Sequence, residues 1–215
     1  MRLKLISCEV FYREMTAAIA RAPHEVDLEF LSKGLHEIGC VGMRERLQEA
    51  IDLANPGGYD AVLLGYGLCS HGLSRLRAGA APLVVPRAHD CITLLLGSKE
   101  RYRQYFQDNP GVYFKSSGWI ERNENPEELN QLSVTNMHGM NRSLEDFVTD
   151  YGEDNGHYLF EVLGKQTQNY GQMTFIEMGV EPDNRFERQA EDEAKRCQWK
   201  FEKVRGDMSL IQRLV

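Results

Sequence analysis

Short apolar runs alternate along the chain with stretches of helical periodicity, and each run ends abruptly in small, polar or reactive residues. Leu3 to Ile6, Ala61-Val62-Leu63-Leu64 and Pro82-Leu83-Val84-Val85 are such runs. Their length, the Gly and Pro around the second and third, and their lack of polar alternation suit strands buried on both faces of a parallel sheet. Val26, Leu28 and Phe30 alternate with charged residues, which predicts a shorter strand nearer an edge. Phe11, Met15, Ala18, Ile19 and Ala22 share one face of a helix over 11–22. Leu47, Ile51 and Ala54 do the same over 43–54, where Asn55-Pro56-Gly57-Gly58 stops the helix. Strand, helix, strand, helix, strand is the pattern of βαβ units.

Farther on, the spacing of Leu95, Tyr102 and Phe106 predicts one helix over 92–106, closed by Asn109-Pro110-Gly111, and Val112-Tyr113-Phe114 reads as a strand. The segment from Lys115 to Arg142 is polar and irregular, with Gly118-Trp119, Pro126 and Met137-His138-Gly139-Met140, and a stretch of that length is expected to be a lid or an insertion. Ser143-Leu144-Glu145-Asp146 resembles a capping box opening a helix, with Asp in place of the longer Glu or Gln. Alternation then resumes: a strand over 173–178, a charged surface helix over 184–196, a strand over 199–204 and an amphipathic helix over 209–215. That last helix carries neither a cap nor a glycine stop, so the native protein is expected to continue beyond Val215. These elements predict one α/β domain over 1–215, a three-layer sandwich with a mainly parallel sheet and an irregular insertion at about 115–142.

Composition narrows the function. A net charge of −7 with no run of Lys or Arg provides no electrostatic footprint for nucleic acid. No stretch of about twenty apolar residues exists to cross a membrane, and the N-terminus turns polar too soon for a signal peptide, so a cytoplasmic location is expected. Five widely spaced cysteines argue against a disulfide framework and for reduced thiols.

The candidate chemistry sits where the apolar runs end. Cys8 follows the first run; Gly65, Tyr66, Gly67, Cys69, Ser70, His71 and Gly72 follow the second; Arg87, His89, Asp90 and Cys91 follow the third. In an open α/β sheet the carboxyl ends of the strands line the ligand crevice, so these three groups are expected to converge. Cys40 and Cys197 fit the habit of a lone cysteine as a small buried hydrophobe. Cys8, Cys69 and Cys91 together suit zinc with an open fourth position, which His71 or His89 could close. The same thiolates would also suit an iron–sulfur cluster, and the local Cys-x-His and His-x-Cys spacings match neither a zinc finger nor a ferredoxin run. Two thiols across a crevice can instead act as acid and base on a Cα proton, as in cofactor-independent racemases, with Gly65, Gly67 and Gly72 letting backbone amides approach a carboxylate. A non-catalytic carrier of a metal or a corrinoid is a further alternative. Arg87, His89, Tyr66 and His71 would form the pocket around the thiols and a small-molecule substrate, and Asp90 is expected to cap a helix beginning at Cys91 or Ile92. Glu177, near a later strand end, is a candidate second carboxylate. Gly65, Gly67 and Gly72 lack the spacing of a dinucleotide fingerprint, and no Walker A pattern occurs.

Leu5-Ile6-Ser7-Cys8-Glu9, Gly65-Tyr66-Gly67-Leu68-Cys69 and Pro86-Arg87-Ala88-His89-Asp90-Cys91-Ile92, with Gly97-Ser98 and Gly118-Trp119 behind them, resemble an uncharacterised family of bacterial and archaeal proteins known as a domain of unknown function. The resemblance covers most of the chain. It implies an association with anaerobes and with corrinoid-dependent methyl transfer, a setting in which a zinc–thiolate site would activate a thiol or amine for one-carbon chemistry, with a corrinoid protein as a partner.

Overall fold

The computed structural model describes residues 1–68, 71–122, 126–133, 143–164 and 170–215, with the side chains of 162–164 left aside. It is an α/β protein in which the described strands pair in parallel, and they form two sheets.

The first sheet is built on β1 (Arg2–Cys8), which lies between β2 (Glu25–Leu31) and β3 (Ala61–Gly65), with β4 (Leu83–Val84) beyond β3. Leu5 faces Leu28 on one side and Leu63 on the other. Consecutive Leu5 and Ile6 are both sealed from solvent, as are all five residues of β3, so both faces of the sheet are covered here. The alternation in β2 corresponds to a half-exposed edge strand. Pro82 to Val85 behaves otherwise than its apolar run predicts. Only Leu83 and Val84 join the sheet, at its far edge, and Val84 and Val85 are exposed. Helices α1 (Tyr12–Ile19) and α2 (Gly39–Ala54) link the first three strands. They bury Met15 and Ala18, and Leu47, Ile51 and Ala54, which are positions picked out by helical spacing, and Met43 with them.

The helix expected over 92–106 is two helices, α3 (Cys91–Leu96) and α4 (Lys99–Asp108). Gly97 between them takes φ 73°, a left-handed conformation that ends α3, and the Ser98 hydroxyl accepts the Arg101 N–H to start α4.

The second sheet has β6 (Gln172–Glu177) between β5 (Val112–Ser116) and β7 (Lys200–Arg205). The alternation of β6 sorts its residues into two environments. Met173 and Phe175 join Ile120, Phe186, Ala190 and Ala194 in a small core, the last three spaced four apart on a long helix over Arg185–Cys197. Gln172 and Thr174 instead meet Tyr105 of α4 and Glu202 of β7. There Tyr105 donates to Glu202 at 2.9 Å and lies 2.7 Å from the Thr174 hydroxyl, while Gln172 donates to Glu202 at 2.8 Å.

The irregular segment begins later than its composition predicts. Lys115 and Ser116 finish β5, and Ser117–Glu121 forms a short helix, α5. Another short helix, α6, covers Glu127–Gln131. His138 and its methionines lie outside the described residues. The capping box at Ser143 is present: its hydroxyl accepts the Asp146 N–H, and the Asp146 carboxylate accepts the Ser143 N–H, opening α7 (Leu144–Tyr151). Next come α8 (Glu153–Gly164), α9 (Arg185–Cys197, the long helix of the small core) and α10 (Ser209–Gln212).

The sheets are joined at α5. A Cβ on Gly118 would lie 1.7 Å from the Val10 carbonyl oxygen, so only glycine allows this backbone approach. Arg13 of α1 forms a two-pronged pair with Glu121 at 2.8 and 2.9 Å, and the Arg122 guanidinium lies 4.6 Å from the centre of the Tyr12 ring. Ile176, Met178, Ile211 and Leu214 belong to the same apolar cluster as β1 and β3.

Glu14 of α1 is buried near this joint, and neither carboxylate oxygen receives a hydrogen bond from another of the described residues. Burial raises its pKa from 4.5 to about 7; its own backbone N–H opposes the shift, Glu181 and Glu121 add to it and Arg13 opposes it. The folded chain therefore keeps a proton that the unfolded chain releases near the ordinary value, so stability falls as pH rises from about 4.5 through about 7. We expect urea unfolding at pH 5 and pH 8 to show a loss in the native chain that Glu14→Gln lacks, on the order of 3 kcal/mol at 1.36 kcal/mol per pKa unit. Parallel pH profiles for the two chains would disprove it.

Candidate functional site

The order β2-β1-β3-β4 makes β1, β3 and β4 successive neighbours, all running in one direction. The chain leaves β1 for one side of the sheet and later returns to the other, so the switch point lies between β1 and β3, where open α/β sheets form their crevice. Cys8 ends β1, the Gly65-to-Leu68 segment leaves β3, and the Arg87-to-Cys91 segment follows β4.

Two contacts tie the latter segments together. The Leu68 N–H donates to the Ala88 carbonyl at 3.0 Å. Gly67 lies against Asp90 so closely that a Cβ would stand 2.5 to 2.7 Å from its backbone atoms. Gly65 is equally crowded, with the Ser7 hydroxyl 2.3 Å from where a Cβ would be. The space beside both glycines is thus filled by protein. Tyr66, expected in the pocket around the thiols, is sealed in the core between the two glycines.

Asp90 caps α3 as its position predicts. Its carboxylate accepts the Thr93 N–H at 2.8 Å and the Thr93 hydroxyl at 2.9 Å. The cap fixes Cys91 as the first residue of the helix, half-buried. His89 is exposed, with Nδ1 3.4 Å from the Asp90 carboxylate, and Arg87 is also exposed. His71 is exposed and takes φ 63°, an uncommon conformation for a residue with a Cβ. Cys69 and Ser70 lie outside the described residues. Glu177 is engaged elsewhere, its carboxylate 3.2 Å from Lys203 Nζ. Cys40 and Cys197, expected as buried hydrophobes, are both exposed: Cys40 sits in the first turn of α2 and Cys197 is the last residue of α9.

Cys8 is buried at the end of β1. Beside it is Lys33, two residues beyond β2 and itself buried, a residue that hydrophobic patterning does not single out. Burial pulls the Lys33 ammonium below its usual range, while Glu37, Glu9 and Cys8 act the other way and Lys115 adds to the lowering. Glu9 accepts the Lys33 backbone N–H at 2.9 Å, and Lys33 Nζ stands 5.4 Å from the centre of the Trp119 ring. Trp119 in turn forms, with Cys91, part of the wall of a cleft of about 560 Å³. Trp119 therefore borders the surroundings of both Cys8 and Cys91. Tyr102 of α4 lines the same cleft, and its phenol is pushed up to about 12, chiefly by burial and then by Asp90 and Cys91 beside it.

Among the described residues no three His, Cys, Asp or Glu side chains are grouped so as to hold a metal ion. Any set including Cys69 lies beyond that statement. No helix among the described residues is long and apolar enough to cross a membrane.

The family described as "Protein of unknown function (DUF1638)" matches residues 30–215. The chain belongs to this family. The DUF1638 match includes the Cys69 and Cys91 segments and starts after Cys8. None of the curated proteins matches the chain. A solved structure, described as the crystal structure of a sugar transporter from Clostridium phytofermentans, is similar over 94% of this chain and 80% of that one, at 11% identity and a TM-score of 0.33. A likeness that slight carries no argument about fold or function.

Since Gly67 holds the two DUF1638 segments together, Gly67→Ala should cost about 1–3 kcal/mol, the usual penalty for forcing atoms into filled space. Gly171→Ala, where a Cβ meets nothing within 4 Å, should change stability by less than about 0.5 kcal/mol. Equal urea midpoints for the two variants would show that the Gly67 contact is dispensable.

Proposed function

We propose that the chain is a metal-binding protein, with zinc held by the thiolates of Cys8, Cys69 and Cys91 at the carboxyl edge of the first sheet. The observation that carries this reading is the strand order: the segments bearing the three cysteines leave three adjacent parallel strands, and two of those segments are bonded to one another. Three sulfur donors suit zinc and leave a fourth position for water or substrate, with His89 and His71 on the exposed side as further donors. Lys33 supports the reading from another direction, because a cation beside Cys8 offsets part of the cost of a buried thiolate. Bound zinc supplies Lewis acidity that makes an incoming thiol or amine nucleophilic at neutral pH. Methyl or one-carbon transfer with a corrinoid protein is the reaction class such a site would serve. The chain's own residues would admit the substrate beside Cys91, exclude water around Cys8, and hold Cys91 in position through the Asp90 cap.

Metal analysis of anaerobically purified full-length protein tests this. We expect about one colourless zinc per chain, lowered at least about threefold in each of Cys8→Ser, Cys69→Ser and Cys91→Ser. A brown chromophore lost in the same variants would replace zinc with an iron–sulfur cluster. Full metal content in Cys8→Ser, or none in the native protein, would overturn the three-thiolate site.

A further inference from the structure

The cleft beside Cys91 has a wall chemistry of its own. Six aromatic side chains surround it: Tyr102 and Phe106 from α4, Tyr113 and Phe114 from β5, Trp119 from α5, and Tyr170 just before β6. Among the described residues no charged side chain lines it. Its volume of about 560 Å³ falls within the range of small-molecule pockets. Several of these rings brace one another at tilted or edge-on angles: Tyr102 with Phe106 at 6.1 Å, Tyr102 with Phe114 at 6.0 Å, and Tyr113 with Tyr170 at 5.3 Å. Phe106, Tyr113 and Tyr170 nevertheless keep large exposed surfaces, so the apolar wall is open to an incoming molecule. The Trp119 indole N–H is shut off from solvent and makes no hydrogen bond to the described residues.

We propose that this cleft binds a small molecule through a neutral, flat aromatic or heteroaromatic ring, and that Cys91 meets the ligand at the side of the first sheet. Among the described residues the lining itself supplies no charged side chain, so a neutral ring meets the wall without a charge to desolvate. Walls made of π-systems favour a flat ring over an aliphatic one of equal size, because ring pairs gain energy beyond the area they bury. The pocket rests on its own walls. It deepens the metal reading only in naming the substrate class for the side of the site that Cys91 occupies.

The probe is 2-naphthol, with decahydro-2-naphthol as the aliphatic control of equal size, followed by saturation-transfer NMR on the purified full-length protein. We expect 2-naphthol to bind at least about tenfold more tightly than decahydro-2-naphthol, and Phe106→Ala and Tyr170→Ala each to weaken it about three- to tenfold, the scale of one aromatic pair. Both side chains are partly exposed, so both variants should keep the native circular dichroism spectrum. Cys8→Ser separates the two ideas: it should bind 2-naphthol as the native chain does, whatever its metal content. If 2-naphthol and decahydro-2-naphthol bind alike, or the two aromatic variants bind 2-naphthol unchanged, the pocket assignment is wrong, and the metal site stands or falls separately.

Discussion

A side chain at position 67 would have to occupy volume held by the backbone of Asp90. That steric exclusion organises the carboxyl edge of the first sheet. It presses the segment leaving β3 against the segment following β4, close enough for the Leu68 N–H to reach the Ala88 carbonyl. Asp90 is then free to turn its carboxylate inward to Thr93, and the cap starts α3 at Cys91. A reactive residue held by a helix start and a backbone contact is positioned by rigid parts, which suits chemistry better than placement on a wandering loop.

The second sheet contributes to this edge without sharing its hydrogen bonds. Gly118 sits on the Val10 carbonyl just past β1, and Arg13 and Glu121 clamp the same joint. The neighbouring Trp119 is thereby carried between Lys33 and the cleft at Cys91. A buried carboxyl group, Glu14, lies close by, so the joint between the sheets is where apolar packing and charge compete most directly.

Much of this was legible from hydrophobic spacing. The βαβ order, the parallel strands, the edge character of β2, the late strand–helix–strand and the caps at Asp90 and Ser143 follow from local patterns, and the structure carries them. The misses share a cause. Pro82 to Val85 is as apolar as a central strand, yet it ends the sheet, because sequence does not say how many neighbours a strand finds. One helix became two because the left-handed Gly97 and the Ser98 cap outweigh periodicity that continues across them. Cys40 and Cys197 share the helical spacing of the buried residues of α2 and α9 but stand in the terminal turns of those helices and are exposed, which burial habits alone do not reveal. Of the candidate site, Cys8 and the Asp90–Cys91 corner could be anticipated from strand ends. Lys33 and the aromatic wall could not, since both depend on how two sheets meet.

The brevity of β4 has a bearing on how the molecule behaves in company. Val84 and Val85 present an apolar, β-prone surface at an open margin of the sheet, where a strand from another chain could add itself. Pro82 and Pro86 bracket that margin, and neither has a backbone N–H to offer. A foreign strand would find a ladder of two residues flanked by prolines that donate nothing to it, which disfavours strand addition at this margin.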